Sequence, residues 1–418
     1  MLENAAANAE SDLFGGLGIS HWAPPSNFTK VINSVKCKNQ AVYVDGLCHY
    51  IRRRAAWEKP PAEREDGMTT MKAVRCLGFG YQHRLETGIE VPKPKPGEVL
   101  VRVDASGICA ADRAMWDGSG PWSLPFPFTP GHEFTGTVVE LGDGAGARHG
   151  VKAGDRAVAE LNITYGNDFF RQRGLYHLAD RMDVIGATLD GGWAQYMIYP
   201  ADAVIHKVPE NLSNAAACYT EPLANAIHGV ERADIGFEDV VVVSGAGPIG
   251  MGMLQAARLK TPRKLILVNP GAAKRRLALR LGADMAFHPD DPELKTALAD
   301  LTDGRGADVF LEASGQTQAF TLGLELLRKA GRLVVFGVYK KPVAVDLNIF
   351  GEFKELDIRG GHLAPFTYRT ALDLMSRGLI DGDACVTHTY PLEAFEEALE
   401  RRPEPDEVQI KIILDPQM

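Results

Sequence analysis

The chain has 418 residues, with 45 Lys plus Arg against 54 Asp plus Glu and a formal net charge of −9. That length suits two domains with large cores. The acidic balance speaks against nucleic acid or an anionic membrane as the main partner.

No apolar run reaches the roughly 20 residues needed to span a bilayer. The start has no apolar signal-peptide core, and it is too acidic and too poor in arginine for an organellar presequence. Six cysteines (Cys37, Cys48, Cys76, Cys109, Cys218 and Cys385) are scattered without paired spacing. That pattern predicts reduced thiols and a cytoplasmic setting.

Residues 1–67 carry no sustained period of 2 or 3.6. They hold a loop-like Pro24-Pro25-Ser26-Asn27, a short basic Arg52-Arg53-Arg54 cluster and a Pro- and charge-rich end. A weakly ordered N-terminal extension is the expectation. From Met71 the pattern turns β-rich: Met71–Arg75 alternates, and Glu98–Val103 and Thr135–Glu140 read as strands. Val151–Val158 reads as a turn and a strand, residues 160–190 as an irregular polar and aromatic lobe, and Gly191–Met197 as strand again. Short strands punctuated by Gly and Pro predict a partly closed β-barrel.

A helical run over 215–230 bridges to an alternating region. Val240–Val243 is a continuous β-branched run, as a parallel strand buried on both faces requires. Helices are expected over 272–281, 293–302 and 317–329, with strands over 264–269, 284–287, 307–311 and 332–337. This order predicts an α/β, doubly wound parallel sheet. From about residue 356 the chain is expected to return to the first domain. It should end in helices over 367–377 and 392–401 and the strand Val408–Leu414.

The stretch from Asp239 to Asn269 carries the sharpest signal. Gly245, Gly247 and Gly250 fill the G-x-G-x-x-G positions, with Pro248 and Ile249 inside the motif. Gly245 permits the tight turn, Gly247 lets backbone approach a pyrophosphate, and Gly250 lets the helix pack on the strand. Free N–H groups at the helix start would hold the phosphates. Asn269 ends the second strand, where a ribose-reading side chain belongs. An acidic residue there would repel a 2′-phosphate; Asn269 bonds the hydroxyls and repels nothing. NAD is the expected cofactor, with NADP left open. Ser314-Gly315 ends another strand and is expected to line the same crevice.

Cys109, His132, Glu133 and Glu221 are candidate metal ligands. A borderline-soft ion such as Zn2+ takes thiolate, imidazole and carboxylate together. A Cys on a turn after one strand and a His-Glu pair before another lie where strand ends can converge.

The segments G-I-C-A-A-D, P-G-H-E-F-T-G-T-V-V-E-L-G, V-K-A-G-D-R-A-V, T-E-P-L-A and S-G-A-G-P-I-G resemble, in the same order, the zinc-dependent medium-chain dehydrogenases. The resemblance covers Met71 to about Leu414. It is strongest to the sorbitol and polyol dehydrogenase branch, because Glu221-Pro222 stands where other alcohol dehydrogenases carry a cysteine.

It implies a GroES-like catalytic domain over 68–223 and 356–418, a Rossmann domain over 224–355, and a homodimer or homotetramer. It implies zinc on Cys109 and His132, with Glu133 and Glu221 binding directly or through water, and Asp112 orienting a ligand. Lys274 matches a ribose contact, while Gly337 and Val338 match the segment that holds the carboxamide. The implied activity is hydride transfer from a secondary alcohol, a sugar alcohol foremost. A zinc-free quinone or enoyl reductase of the same fold and a non-catalytic nucleotide-binding relative are the alternatives.

Three departures stand out. The 160–190 lobe has no cysteine, so one catalytic zinc and no structural zinc is expected, with Tyr165, Phe169, Phe170, Tyr176 and His177 packing instead. Ala111 and Ala114 stand where relatives carry proton-relaying side chains. His362 stands near a position where polyol enzymes carry an Arg-Tyr pair, so the pocket is expected to draw on Trp116, the lobe and His362.

Overall fold

The computed structural model describes residues 70–120 and 123–418. The expected extension over 1–67, with its arginine cluster and Cys37 and Cys48, lies outside the described residues. The four described cysteines are free. Among the described residues no helix is long and apolar enough to cross a membrane.

The chain opens with the antiparallel pair β1 (Thr70–Cys76) and β2 (His83–Glu90). Then comes β3 (Val99–Ile108), longer than the expected 98–103, and the short helix α1 (Ala110–Trp116). β4 (Phe134–Leu141), α2 (Ala145–His149) and β5 (Arg156–Ala159) follow. The lobe contains a two-stranded sheet of β6 (Asn162–Thr164) and β7 (Met182–Val184). β8 (Tyr196–Tyr199) and β9 (Ile205–Lys207) return to the main body.

β3 is the axle of this half. Val99–Ser106 pairs with β4, its first part pairs with β8, and its last residues pair with the C-terminal strand. Val99, Val101 and Val103 point from it into a core with Phe134, Val138 and Tyr199.

The bridging helix is broken in two, α3 (Asn214–Cys218) and α4 (Thr220–Ala233). Pro222 accounts for the break, since it has no N–H to return to the preceding turn. Next comes β10 (Val240–Ser244), α5 (Pro248–Leu259), β11 (Lys264–Val268), α6 (Ala272–Arg280) and β12 (Met285–Phe287). α7 (Pro292–Thr302), β13 (Ala307–Glu312), α8 (Thr317–Leu326), β14 (Leu327–Val335) and β15 (Asp357–Gly360) complete the alternation.

These strands form a six-stranded parallel sheet in the order β12-β11-β10-β13-β14-β15. Alternate residues of β10 serve opposite faces. Val241 and Val243 join the core under α4 and α5, while Val240 and Val242 join the core under α7 and α8.

Two expectations fail here. The helix expected over 317–329 ends at Leu326, because Leu327 is captured by the sheet opposite Ala307 and Arg328 ion-pairs with Asp308. The return to the first domain comes later than residue 356: Asp357–Gly360 is the sixth strand of the parallel sheet. After it come α9 (Tyr368–Ser376), β16 (Val386–Pro391), α10 (Phe395–Glu400) and β17 (Lys411–Asp415). The helix expected over 392–401 begins as a 3₁₀ turn, Leu392–Ala394. β17 pairs with both β16 and β3.

Candidate metal and dinucleotide site

Antiparallel pairing puts the end of β3 beside the start of β4, with Ser106 opposite Phe134. Cys109, one residue past β3, therefore meets His132 and Glu133, which precede β4. Their ligand atoms (a sulfur, a ring nitrogen and a carboxylate oxygen) all lie within 4.8 Å of one another. Gly107 makes the approach possible, since a Cβ there would lie 2.0 Å from Glu133 Oε2. Asp112, in the first turn of α1, accepts a 2.7 Å hydrogen bond from the Cys109 N–H. Its other oxygen faces His132 Nδ1 at 3.6 Å.

Glu221 stands outside the 4.8 Å cluster. It is buried in the first turn of α4, with Oε1 accepting from Asn225 Nδ2 at 2.6 Å. It still feels the cluster: burial and the neighbouring Glu133 push its carboxyl upward. Burial would lower His132, but Asp112 and Cys109 outweigh it and hold the imidazole well above its usual range. Burial likewise raises Asp112, against the opposing pull of His132.

Lys411 completes the site and was missed by the sequence reading. It is 2% exposed, and Nζ lies 2.6 Å from each oxygen of Glu133, with a further bond to the Ile108 carbonyl at 3.0 Å. Burial opposes its charge, but Glu133 and Cys109 raise it above the usual lysine range. Buried Asp112 Oδ1 has no hydrogen-bond partner. A thiol, an imidazole and a carboxylate gathered within 4.8 Å, with that oxygen facing the imidazole, fit a zinc ion. The one signal for Lys411 was a single lysine inside the apolar run Ile410–Leu414.

The crevice lies at the carboxyl ends of the parallel strands. Gly245 has φ +101°, and a Cβ on Gly250 would lie 2.0 Å from the Gly245 carbonyl, as the motif reading required. Gly247 caps α5, Pro248 is its first residue, and Ile249 packs on the core. A cavity of about 850 Å³ is lined by Gly245, Asn269, Asp290, Asp291 and Ser314, among others. Asn269 Oδ1 accepts from the Ala246 N–H at 3.2 Å, which ties the glycine turn to the second strand. Burial lowers Lys274. Arg275 bonds the carbonyls of Asn269 and Pro270, and Arg276 holds both oxygens of Asp406 at 2.7 Å.

Glu312 joins two loops at the crevice mouth. Fully buried at the end of β13, it accepts from the Ser314 N–H (2.8 Å), Ser314 Oγ (2.5 Å) and the Gly315 N–H (3.1 Å). Tyr339 Oη donates to its other oxygen at 2.6 Å, and the Gly337 N–H donates to its carbonyl at 3.0 Å. The turn at Ser314 and the segment Gly337–Val338 are thus held by one residue. Val338 is left 80% exposed.

Trp116 is packed among His83, Tyr81 and Phe395, is 7% exposed, and lines neither of the two cavities described. In the lobe, the Arg173 guanidinium lies 3.5 Å from the Phe169 ring centre, and Phe169 meets Phe170 edge-on at 5.4 Å. Tyr165 Oη donates to Asp183 at 3.2 Å, and Tyr176 Oη donates to Glu160 at 2.6 Å.

Comparison with known proteins places the two halves of the chain in known domain families. Residues 95–210 match the alcohol dehydrogenase GroES-like domain, and residues 248–377 match the zinc-binding dehydrogenase domain. The chain is 41% identical to an erythritol/L-threitol dehydrogenase of Mycolicibacterium smegmatis, over 79% of this chain and 93% of that protein. It is 35% identical to an L-threonine 3-dehydrogenase of Pyrococcus horikoshii, over 79% and 94%. A zinc-binding dehydrogenase from Sinorhizobium meliloti bound to NADP superposes with TM-score 0.76 at 30% identity, covering 83% of this chain and 100% of that one. The 2R,3R-butanediol dehydrogenase of Bacillus subtilis gives TM-score 0.73 at 28% identity, with 83% and 99% covered.

Removing the ammonium would leave the Glu133 carboxylate buried and uncompensated. In metal-free protein, Lys411→Met is expected to lower the unfolding free energy by about 3–5 kcal/mol, measured in urea. A change below about 1 kcal/mol would mean that Glu133 finds another partner.

Proposed function

The chain belongs to the zinc-binding alcohol dehydrogenases with a GroES-like domain, and from that membership we propose a zinc- and NAD-dependent oxidation of a sugar alcohol at a secondary hydroxyl. It is an oxidoreductase acting on CH–OH groups. The observation that carries the reading is the meeting of Cys109, His132 and Glu133 within one 4.8 Å cluster. Relatives named for erythritol/threitol, sorbitol and arabitol phosphate support the substrate class.

Cys109 and His132 would hold the metal, with Glu133 and Glu221 as direct or water-mediated ligands. When bound, zinc supplies Lewis acidity toward the alcohol oxygen and the nicotinamide supplies the hydride acceptor. The protein's own residues do the rest. Asp112 fixes the orientation of His132. Lys411 offsets the Glu133 charge, so that thiolate and carboxylate can share a small volume. The turn at Gly245 and the start of α5 present N–H groups to a pyrophosphate. Glu312 and Tyr339 hold the Gly337–Val338 backbone ready for the carboxamide.

The adenosine end supports NAD over NADP. Arg275 and Arg276 are both engaged elsewhere, and Asp290 and Asp291 line the cavity, so a 2′-phosphate would meet carboxylates and no free guanidinium. One zinc per chain, a homo-oligomer and a cytoplasmic location complete the proposal.

Cys109→Ser should abolish tight zinc binding, read by metal analysis, together with polyol-dependent NADH formation; retained zinc and near-normal turnover would remove Cys109 from the ligand set. Asn269→Asp keeps the acceptor for Ala246 and adds a charge at the ribose. The NAD/NADP ratio of kcat/KM should rise about tenfold. An unchanged ratio would show that residue 269 does not face the ribose.

A further inference from the structure

Three histidines outside the metal cluster come together from three segments. His177 belongs to the lobe, His228 to α4 and His362 to the loop after β15. The His177 and His228 rings stand 5.5 Å apart in an edge-on arrangement. His362 and Arg232 are near enough to both to weigh against their protonation.

His177 is 5% exposed, and its Nδ1 has no hydrogen-bond partner. A buried ring nitrogen in that state is uncommon in a native protein and asks for a ligand or a bound water. The loop that carries His362 is strained as well. Leu363 and Phe366 adopt φ of +55° and +62°, where non-glycine residues seldom sit. Strain of this kind gathers at ligand clamps. The loop is fastened to the lobe: the Phe366 N–H donates to Tyr176 Oη at 2.9 Å, and the two rings meet at 5.0 Å.

The helix phase connects this cluster to the metal. Glu221, Asn225 and His228 follow at steps of four and three along α4, so they share one stripe. Two turns separate the first from the last, a rise of about 10.5 Å. That is the scale of an extended sugar alcohol with its bonds at both ends. A cavity of about 540 Å³ opens beside His228, bounded also by Glu231, Arg232, Asp357 and Arg359.

Arg359 pairs with Asp357, and Arg232 Nε donates to the Gly360 carbonyl at 3.1 Å. Burial holds all three imidazoles below the usual histidine range, His228 at about 4. A neutral imidazole offers one donor and one acceptor, and a hydroxyl offers the same in return.

We propose that His177, His228 and His362 form a subsite that reads the hydroxyls of an uncharged polyol on the side away from the reacting carbon. This rests on the dehydrogenase reading and adds what sets its selectivity. A phosphorylated polyol would instead turn on Arg232, which lines the cavity.

The test uses the zinc-loaded enzyme with NAD and three probes: erythritol, erythritol 4-phosphate and 2-butanol. His228→Leu and His362→Leu change half-buried or exposed positions, and His177→Leu changes the buried one. In each, the kcat/KM ratio of erythritol to 2-butanol is expected to fall about tenfold for each hydroxyl deprived of its imidazole partner, mostly through KM. Parallel losses on both alcohols, or no loss, would overturn the subsite. So would a wild-type preference for erythritol 4-phosphate that His228→Leu removes. Wild type active on 2-butanol and inert on erythritol overturns the subsite alone. Wild type inert on every alcohol overturns the dehydrogenase reading and the subsite with it.

Discussion

A lysine with 2% of its surface exposed can stay charged only if carboxylate oxygens replace its lost water. Lys411 has that replacement at 2.6 Å, and the geometry of the site follows from the pairing. β17 brings the ammonium to the end of β3, where Cys109 leaves the strand, and β4 brings Glu133 to the same point. Three strands distant in sequence must be in register before a positive charge, a carboxylate and a thiol can share this volume. Loss of that register would strand a buried charge, so the candidate metal ligands and the pairing of these three strands are tied to one interaction.

The nucleotide half repeats the device with a different residue. Glu312 is fully buried at a strand end, and its carboxylate gathers two N–H groups and two hydroxyls from two loops. Hydrogen bonds to a charged acceptor are stronger than neutral ones. They give the crevice mouth a fixed backbone before any ligand arrives. Both halves thus use a buried carboxylate to convert flexible strand ends into rigid ones, and the two rigid ends carry the candidate metal ligands and the segment proposed for the carboxamide.

How much of this was legible depended on the range of the interaction. The glycine turn was readable because its demands are local: a positive φ at Gly245 and close approach at Gly250 lie within six residues. Cys109, His132 and Glu133 were readable as types, but their convergence needs the β3–β4 register. Lys411 could not be found because a lysine in a strand ordinarily points outward. The stretch after Leu326 misled for a related reason. Leu-Arg-Lys-Ala favours helix on its own, yet a place opposite Ala307 in the sheet outweighs that preference. β15 was assigned to the wrong half because four residues of exposed, mixed character carry no sign of which sheet edge they will join.

The lobe is tied both to itself and to a distant loop. Without cysteines over 160–190, its cohesion comes from the Arg173–Phe169 stack and from Tyr165 and Tyr176 bonding to carboxylates. Tyr176 uses its hydroxyl twice, toward Glu160 inside the catalytic half and toward the Phe366 N–H in the loop beyond the parallel sheet. The lobe is thereby fastened to the loop that carries His362, and its His177 meets His228 edge-on at 5.5 Å.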